Sequence, residues 1–333
     1  MRVPLLIAGT ALPLLISLPS PAVTMDWTPI GNPGNACDPQ SQGCFGSVPY
    51  SYSIGTYEVT NAQYVEFLNA KAASDPLGLY NASMGSGIGG ITRSGSSGNY
   101  SYSAIAGRRD MPVDHVSFYD ALRFANWMNN GQGNGDTETG AYTLLGPYGT
   151  SLFGSGIPSN GTTVTRNAGA TIFLTSENEW YKAAYFSPLT ASYFDYPTGS
   201  NVPPTCSSPS SAPNRANCAG YDFLPVGSFP GSRSPSGTYD QGGNAMEWTE
   251  AIGTNVYGDP TRILRGGNYA FIADAMASSI RFGNDPTASF NDDYGFRLAM
   301  VPEPGTGLLV IAGLIGLAIR RRRVSTVVDG PAN

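Results

Sequence analysis

Histidine is nearly absent from this chain: its 333 residues contain one, His115. A metal centre built on several imidazoles is therefore excluded by residue count. A Ser-His-Asp triad would have to use His115. That residue sits beside Asp114 just before a helix cap, where neighbours in sequence cannot orient each other as a triad requires. A structural or surface role is expected of it. Charge is scarce as well, at 13% of residues with a net of −6. No nucleic-acid partner is expected, because the only long basic run, Arg320 to Arg323, stands at the extreme C-terminal end. No internal repeat is apparent, and the 42 glycines lack the three-residue period of collagen.

Glycine, 26 prolines and 11% aromatics point to a domain rich in loops and held by aromatic packing, while 41% hydrophobic content argues against wholesale disorder. The four cysteines, Cys37, Cys44, Cys206 and Cys218, fit an oxidising compartment. Three connectivities are possible. Cys37–Cys44 and Cys206–Cys218 are favoured, since each closes a short polar loop. Zinc is the alternative, but two-residue spacing is missing and there is one histidine.

Both ends read as addresses. Residues 1–24 have a short basic start, an apolar stretch from Leu5 to Leu18, and small residues at Ser20, Ala22 and Thr24, which is a secretory signal peptide. At the other end, Pro302-Glu303-Pro304 leads into an apolar segment, 306–319, and then Arg320-Arg321-Arg322-Arg323. That segment is shorter than the ~20 residues that comfortably span a bilayer, and its arginines belong on the cytoplasmic side. The region 301–323 resembles the PEP-CTERM sorting signal of Gram-negative bacteria. The resemblance implies export, transient inner-membrane anchoring, and processing by an exosortase. Residues 324–333 form a short tail.

Between the signals, residues 25–300 carry three helix starts with capping boxes: Thr60 with Gln63, Ser117 with Asp120, and Ser176 with Glu179. Glu177 and Glu179 do not share a helix face as an acid/base pair would, and capping with dipole compensation accounts for them. Strands are expected at 52–59, 171–174, 262–264 and 295–300. Long Gly/Ser-rich stretches at 84–107, 154–169 and 227–243 need ordering by disulfides or cations. Gly85 to Gly90 satisfies G-x-G-x-x-G but lacks the preceding strand and following helix of a dinucleotide site.

Six short segments occur in order: Gly55 to Tyr64, Met111-Pro112-Val113 with Asn126-Trp127, Leu174 to Trp180, Gly243 to Trp248, Arg265 to Tyr269, and Tyr294 to Arg297. Their succession resembles the formylglycine-generating enzyme / sulfatase-modifying factor family. It implies a single loop-rich α+β domain of C-type-lectin-like fold. The family's enzymes use paired cysteines shortly after the Arg-Gly-Gly motif to hold copper. Here Phe271 and Met276 fall near those positions, and neither supplies a thiolate. A related ergothioneine-pathway branch binds iron through three histidines, which this chain lacks. No copper or iron is expected.

The resemblance also implies structural calcium. Asp240 and Glu247 would supply carboxylates, and Gly243 and Ala245 would supply carbonyls, in the oxygen-rich loop calcium requires. Asn217 and Asp222 could form a second site. The competing reading pairs Glu247 with a buried arginine such as Arg265 or Arg297. The expected function is an exported, surface-displayed, non-catalytic binding or structural protein, with extracellular polysaccharide as a candidate partner. The alternatives are a metal-dependent oxidoreductase with a non-standard site, and a formylglycine-generating enzyme with displaced cysteines, which would carry free thiols.

Overall fold

The three capping boxes start three helices in a computed structural model that describes residues 22–151, 154–220, 222–255, 257–288 and 293–302. Helix α1 spans Asn61–Lys71, α2 Phe118–Asn129 and α3 Glu177–Tyr185. In each, the N-cap hydroxyl accepts from the third backbone N–H and the third side chain bonds back to the N-cap N–H. The orphan donors of the first turn are thus met before the helix enters the core. Helix α2 is buried on nearly every side. Its Phe124 and Trp127 pack against Tyr64 and Phe67 of α1 and against Phe296, with ring centroids 5.4–5.9 Å apart.

Two four-stranded sheets frame the helices. One is antiparallel in the order Trp27–Ile30, Tyr52–Gly55, Leu298–Met300, Ile172–Leu174. The other runs Phe282–Asn284, Pro260–Arg265, Met246–Thr254, Tyr294–Phe296, the last pair parallel. The expected strand at 295–300 is therefore two strands in two different sheets, and the residue between them is Arg297. The strand expected over 52–59 stops at Gly55, so Thr56 to Val59 are released to line the region beside α1. Sequence reading recognised the turn before Trp248 but not the nine-residue strand that follows it, Met246–Thr254.

Disulfides join Cys37 to Cys44 and Cys206 to Cys218, with Cα separations of 5.5 and 4.8 Å. The first brackets a small hairpin, Asp38–Gln40 with Gly43–Phe45. The second braces a parallel pair, Thr205–Cys206 with Arg215–Ala216. Two of the three long glycine-rich stretches contain part or all of a hairpin, formed by Ile91–Ser94 with Ser101–Ala104 and by Gly149–Ser151 with Gly154–Ile157.

Two residues ahead of Met25 touch the domain. Val23 is buried, its N–H donates to Gln132 Oε1 at 2.6 Å, and Gln132 Nε2 donates back to its carbonyl at 2.8 Å. Gln63 Nε2 also holds the Thr24 carbonyl at 2.9 Å. Residues 1–21 of the leader, Glu303, Pro304, the apolar segment 306–319, Arg320 to Arg323 and the tail lie outside the described residues. Among the described residues no helix is long and apolar enough to cross a membrane.

The cap of α2 is buried, and Asp120 Oδ2 bonds both the Ser117 hydroxyl at 2.6 Å and its N–H at 2.9 Å. Ser117→Ala is therefore expected to lower unfolding free energy by about 1–2 kcal/mol in a urea titration. An unchanged midpoint would show that the cap carries no stability.

Candidate functional site

The turn at Gly242–Trp248 is built by local conformation. Asp240 and Asn244 take left-handed φ of 57° and 58°, and Gly243 has φ of 85°. A Cβ on Gly243 would stand 2.2 Å from the Asn217 carbonyl oxygen, so glycine is required both for φ and for close approach. The turn delivers Glu247 to the protein interior opposite Arg297, both fully buried. Arg297 Nε donates to Glu247 Oε2 at 2.6 Å and a terminal nitrogen to Oε1 at 2.7 Å. The Trp180 indole N–H of α3 adds a bond to Oε2 at 2.8 Å.

Of the two arginines offered for Glu247 by the ion-pair reading, its partner is Arg297. Arg265, the other candidate, instead reaches Glu177 at 2.7 Å, and Glu177 also holds Arg281. Glu177 thus does more than compensate a helix dipole, as does Glu179, which holds Arg166 at 2.7 Å as well as capping α3. Asp240, expected beside Glu247, turns away and accepts the Gly227 N–H at 2.6 Å. Burial pushes its carboxyl up to about 6, against the pull of that N–H and of Arg297.

The second expected calcium pair is divided in the same way. Asp222 is forked by Arg108 at 2.6 and 2.9 Å, which holds its carboxyl below the usual range. The Asn217 amide donates to the Asn244 side chain at 3.0 Å and to the Asp222 carbonyl at 3.1 Å. The Gly243 and Ala245 backbone belongs to the same turn, where the Ala245 N–H stands 3.5 Å from Glu58 Oε1. Of the expected donor set Asp240, Gly243, Ala245 and Glu247, both Glu247 oxygens accept guanidinium protons and Asp240 accepts the Gly227 N–H. Among the described residues, no three of His, Cys, Asp and Glu converge as a metal site would need.

Phe271 and Met276, near the expected places of the family's reactive cysteines, carry no thiol. Met276 is fully buried with Tyr196, Ala216 and Cys218. Phe271 lies against Phe282 with centroids 5.6 Å apart. All four cysteines are oxidised, so no thiol remains. His115 is buried at φ 52°, its Nδ1 3.2 Å from Asp114 Oδ2, and Ser117 is engaged in its cap rather than with the imidazole.

A cavity lies elsewhere, beside the start of α1. It has a volume of about 640 Å³ and is bounded by the 22–26 segment, Tyr57, Glu58, the first turns of α1, Arg109-Asp110 and Pro225-Val226. Four acids, Asp26, Glu58, Glu66 and Asp110, line it against one base, Arg109. Sequence reading missed Glu58. The available signal was a carboxylate between Tyr57 and Val59 inside a motif segment, where apolar neighbours on both sides suggest burial.

With arginines in both expected calcium places, EDTA is expected to leave the melting temperature of the calcium-treated protein unchanged. A clear fall on chelation would restore calcium to the fold.

The chain can now be set beside known proteins. The description "Sulfatase-modifying factor enzyme 1-like domain" matches residues 38–301, and the PEP-CTERM protein-sorting motif matches residues 301–323. A curated relative, hercynine oxygenase of Mycobacterium tuberculosis, is 25% identical over 194 residues, covering 53% of this chain. The chain spans only 34% of that relative's length. Among solved structures, CarF superposes with a TM-score of 0.53 at 22% identity over 84% of this chain and 99% of CarF. Treponema denticola variable protein 1 does so with a TM-score of 0.52 at 20% identity, over 83% and 95% of the two chains. These likenesses speak to the fold. The PEP-CTERM motif and the disulfides mark an exported protein of the envelope or exterior, associated with membrane and sorted by an exosortase. The chain belongs to the sulfatase-modifying factor enzyme 1-like family, as a single α+β domain joined to a PEP-CTERM sorting signal.

Proposed function

We propose that the mature domain is a non-catalytic binding or structural module, displayed at the surface or in the extracellular matrix of a Gram-negative cell after exosortase processing, with extracellular polysaccharide as its partner class. The observation that carries this reading is the fate of the cysteine positions. Phe271 and the buried Met276 offer no thiolate, and the four cysteines present are tied in disulfides far along the chain from that motif. Thiolate is the ligand and nucleophile of the family's oxidation of sulfatase cysteines. The single histidine is buried against Asp114, which removes imidazole as a replacement. Polysaccharide is supported more modestly, by aromatic side chains on irregular surface, such as Tyr257, 87% exposed, and Tyr148. Such rings suit stacking on sugars, though fold analogy alone does not assign a ligand.

The competing reading, a metal-dependent oxidoreductase with a non-standard site, draws on the relative named an oxygenase. The two readings separate cleanly. Protein equilibrated with copper(I) and with iron(II), then desalted, is expected to retain neither metal stoichiometrically and to consume no oxygen with thiol reductant. Stoichiometric redox metal together with oxygen uptake would establish the enzyme reading instead.

A further inference from the structure

Val23 and Thr24 are gripped by two glutamine side chains. Val23 is 8% exposed and belongs to the main hydrophobic core. Its N–H donates to Gln132 Oε1 at 2.6 Å and its carbonyl accepts from Gln132 Nε2 at 2.8 Å, so one side-chain amide meets both polar groups of the residue. The Thr24 carbonyl accepts from Gln63 Nε2 at 2.9 Å, while Gln63 Oε1 accepts the Thr60 N–H in the cap of α1. Both grips thus come from side chains that their own helix ends hold in place.

Gln132 owes its reach to an uncommon backbone. It lies just beyond α2 with φ of 67°, in the left-handed region that residues bearing a Cβ seldom enter. Its N–H donates to the Trp127 carbonyl and its carbonyl accepts the Gly135 N–H, each at 2.8 Å. Such a conformation persists only where the surroundings fix it. Here it carries the amide back to a residue 109 positions earlier in the chain.

Ala22, in contrast to Val23, is exposed. The step from exposed to buried chain therefore falls on the Ala22–Val23 bond. Ser20, Ala22 and Thr24 are the small residues suited to the end of a leader. A cut after Thr24 would discard the buried valine and all three glutamine hydrogen bonds. A cut after Ser20 would place the new terminus two residues away from Gln132. A cut after Ala22 keeps every contact, and Ser20 with Ala22 supplies the small-x-small pattern of a cleavage site.

We propose that the leader is removed at the Ala22–Val23 bond and that Gln132 and Gln63 form the seat of the new N-terminus. Hydrolysis adds one water across that bond. Ala22 departs with the leader as a carboxylate, and Val23 keeps an α-ammonium. The ammonium still has an N–H for Gln132 Oε1, and this charge-assisted bond is stronger than the amide bond it replaces. Processing thereby tightens the grip on the first residue of the mature domain. The inference rests on the contacts of Val23 and Thr24 and is independent of whether the domain catalyses a reaction.

The test is export of the full chain by a Gram-negative host, followed by N-terminal sequencing and mass spectrometry of the recovered protein. Val23 is expected in first position. Ala22→Leu is expected to block or displace the cut, and Thr24→Leu to leave it in place. A first residue other than Val23, a retained leader, a cut that ignores Ala22→Leu, or one moved by Thr24→Leu would overturn the assignment. The seat is read from melting temperatures. In the processed protein Gln132→Ala is expected to lower the midpoint by about 2–4 °C. In a chain lacking Val23 and Thr24 the same change is expected to leave it unmoved. Equal losses in both backgrounds would overturn the seat, showing that Gln132 serves only the turn after α2.

Discussion

The bond between Arg297 and Glu247 sits at the point where the two four-stranded sheets meet. Arg297 stands where the chain leaves one four-stranded sheet, after Phe296, and enters the other at Leu298. Its guanidinium grips Glu247 in the first sheet and the Gly55 and Thr56 carbonyls at the end of a strand of the second. It also takes the Tyr239 carbonyl at 3.0 Å. All five of its donors are used, and Trp180 of α3 completes the coordination of Glu247. Desolvating two charges is costly, and such a pair holds only when geometry and auxiliary hydrogen bonds are nearly complete. Here they are. The planar fork of arginine suits the task in a way that a lysine point charge would not.

The same economy is seen in the loops where calcium is expected from the sequence. A cation is needed at each turn to neutralise an acid and gather carbonyl oxygens around it. The chain supplies its own: Arg297 for Glu247 and Arg108 for Asp222. Arg265 and Arg281 serve Glu177, and Arg166 bridges Glu179 and Glu250. With charged residues at only 13%, much of the ionic content is spent inside the fold, on pairs that join elements distant in sequence. Glu58 has no such partner to itself.

Local features were legible in the sequence. Capping boxes marked Thr60, Ser117 and Ser176, because a cap is a three-residue device whose chemistry needs no tertiary information. The disulfide partners were the near neighbours that short polar loops bring together, and family and sorting signal were carried by motif order. What could not be read was pairing at long range. Glu247 has several arginines within the chain to choose from, and only the crossing of two sheets at Arg297 selects one. The strand Met246–Thr254 was hidden because glycine and threonine interrupt its alternation near the C-terminal end, while tertiary pairing on both sides enforces it. The cavity was invisible for the same reason, since its walls come from four separate segments.

What emerges is a family scaffold whose loops are fastened by internal ion pairs, carried outward by a sorting signal. Everything in that account turns on the Arg297–Glu247 bond as the tie between the sheets. A double-mutant cycle with Glu247→Gln and Arg297→Met, measured by chemical unfolding, tests it directly. Each single change is expected to cost about 3–5 kcal/mol by stranding its partner, and the double variant about 2 kcal/mol or more less than their sum. Additive losses would contradict the account, showing that the two residues stabilise the fold independently.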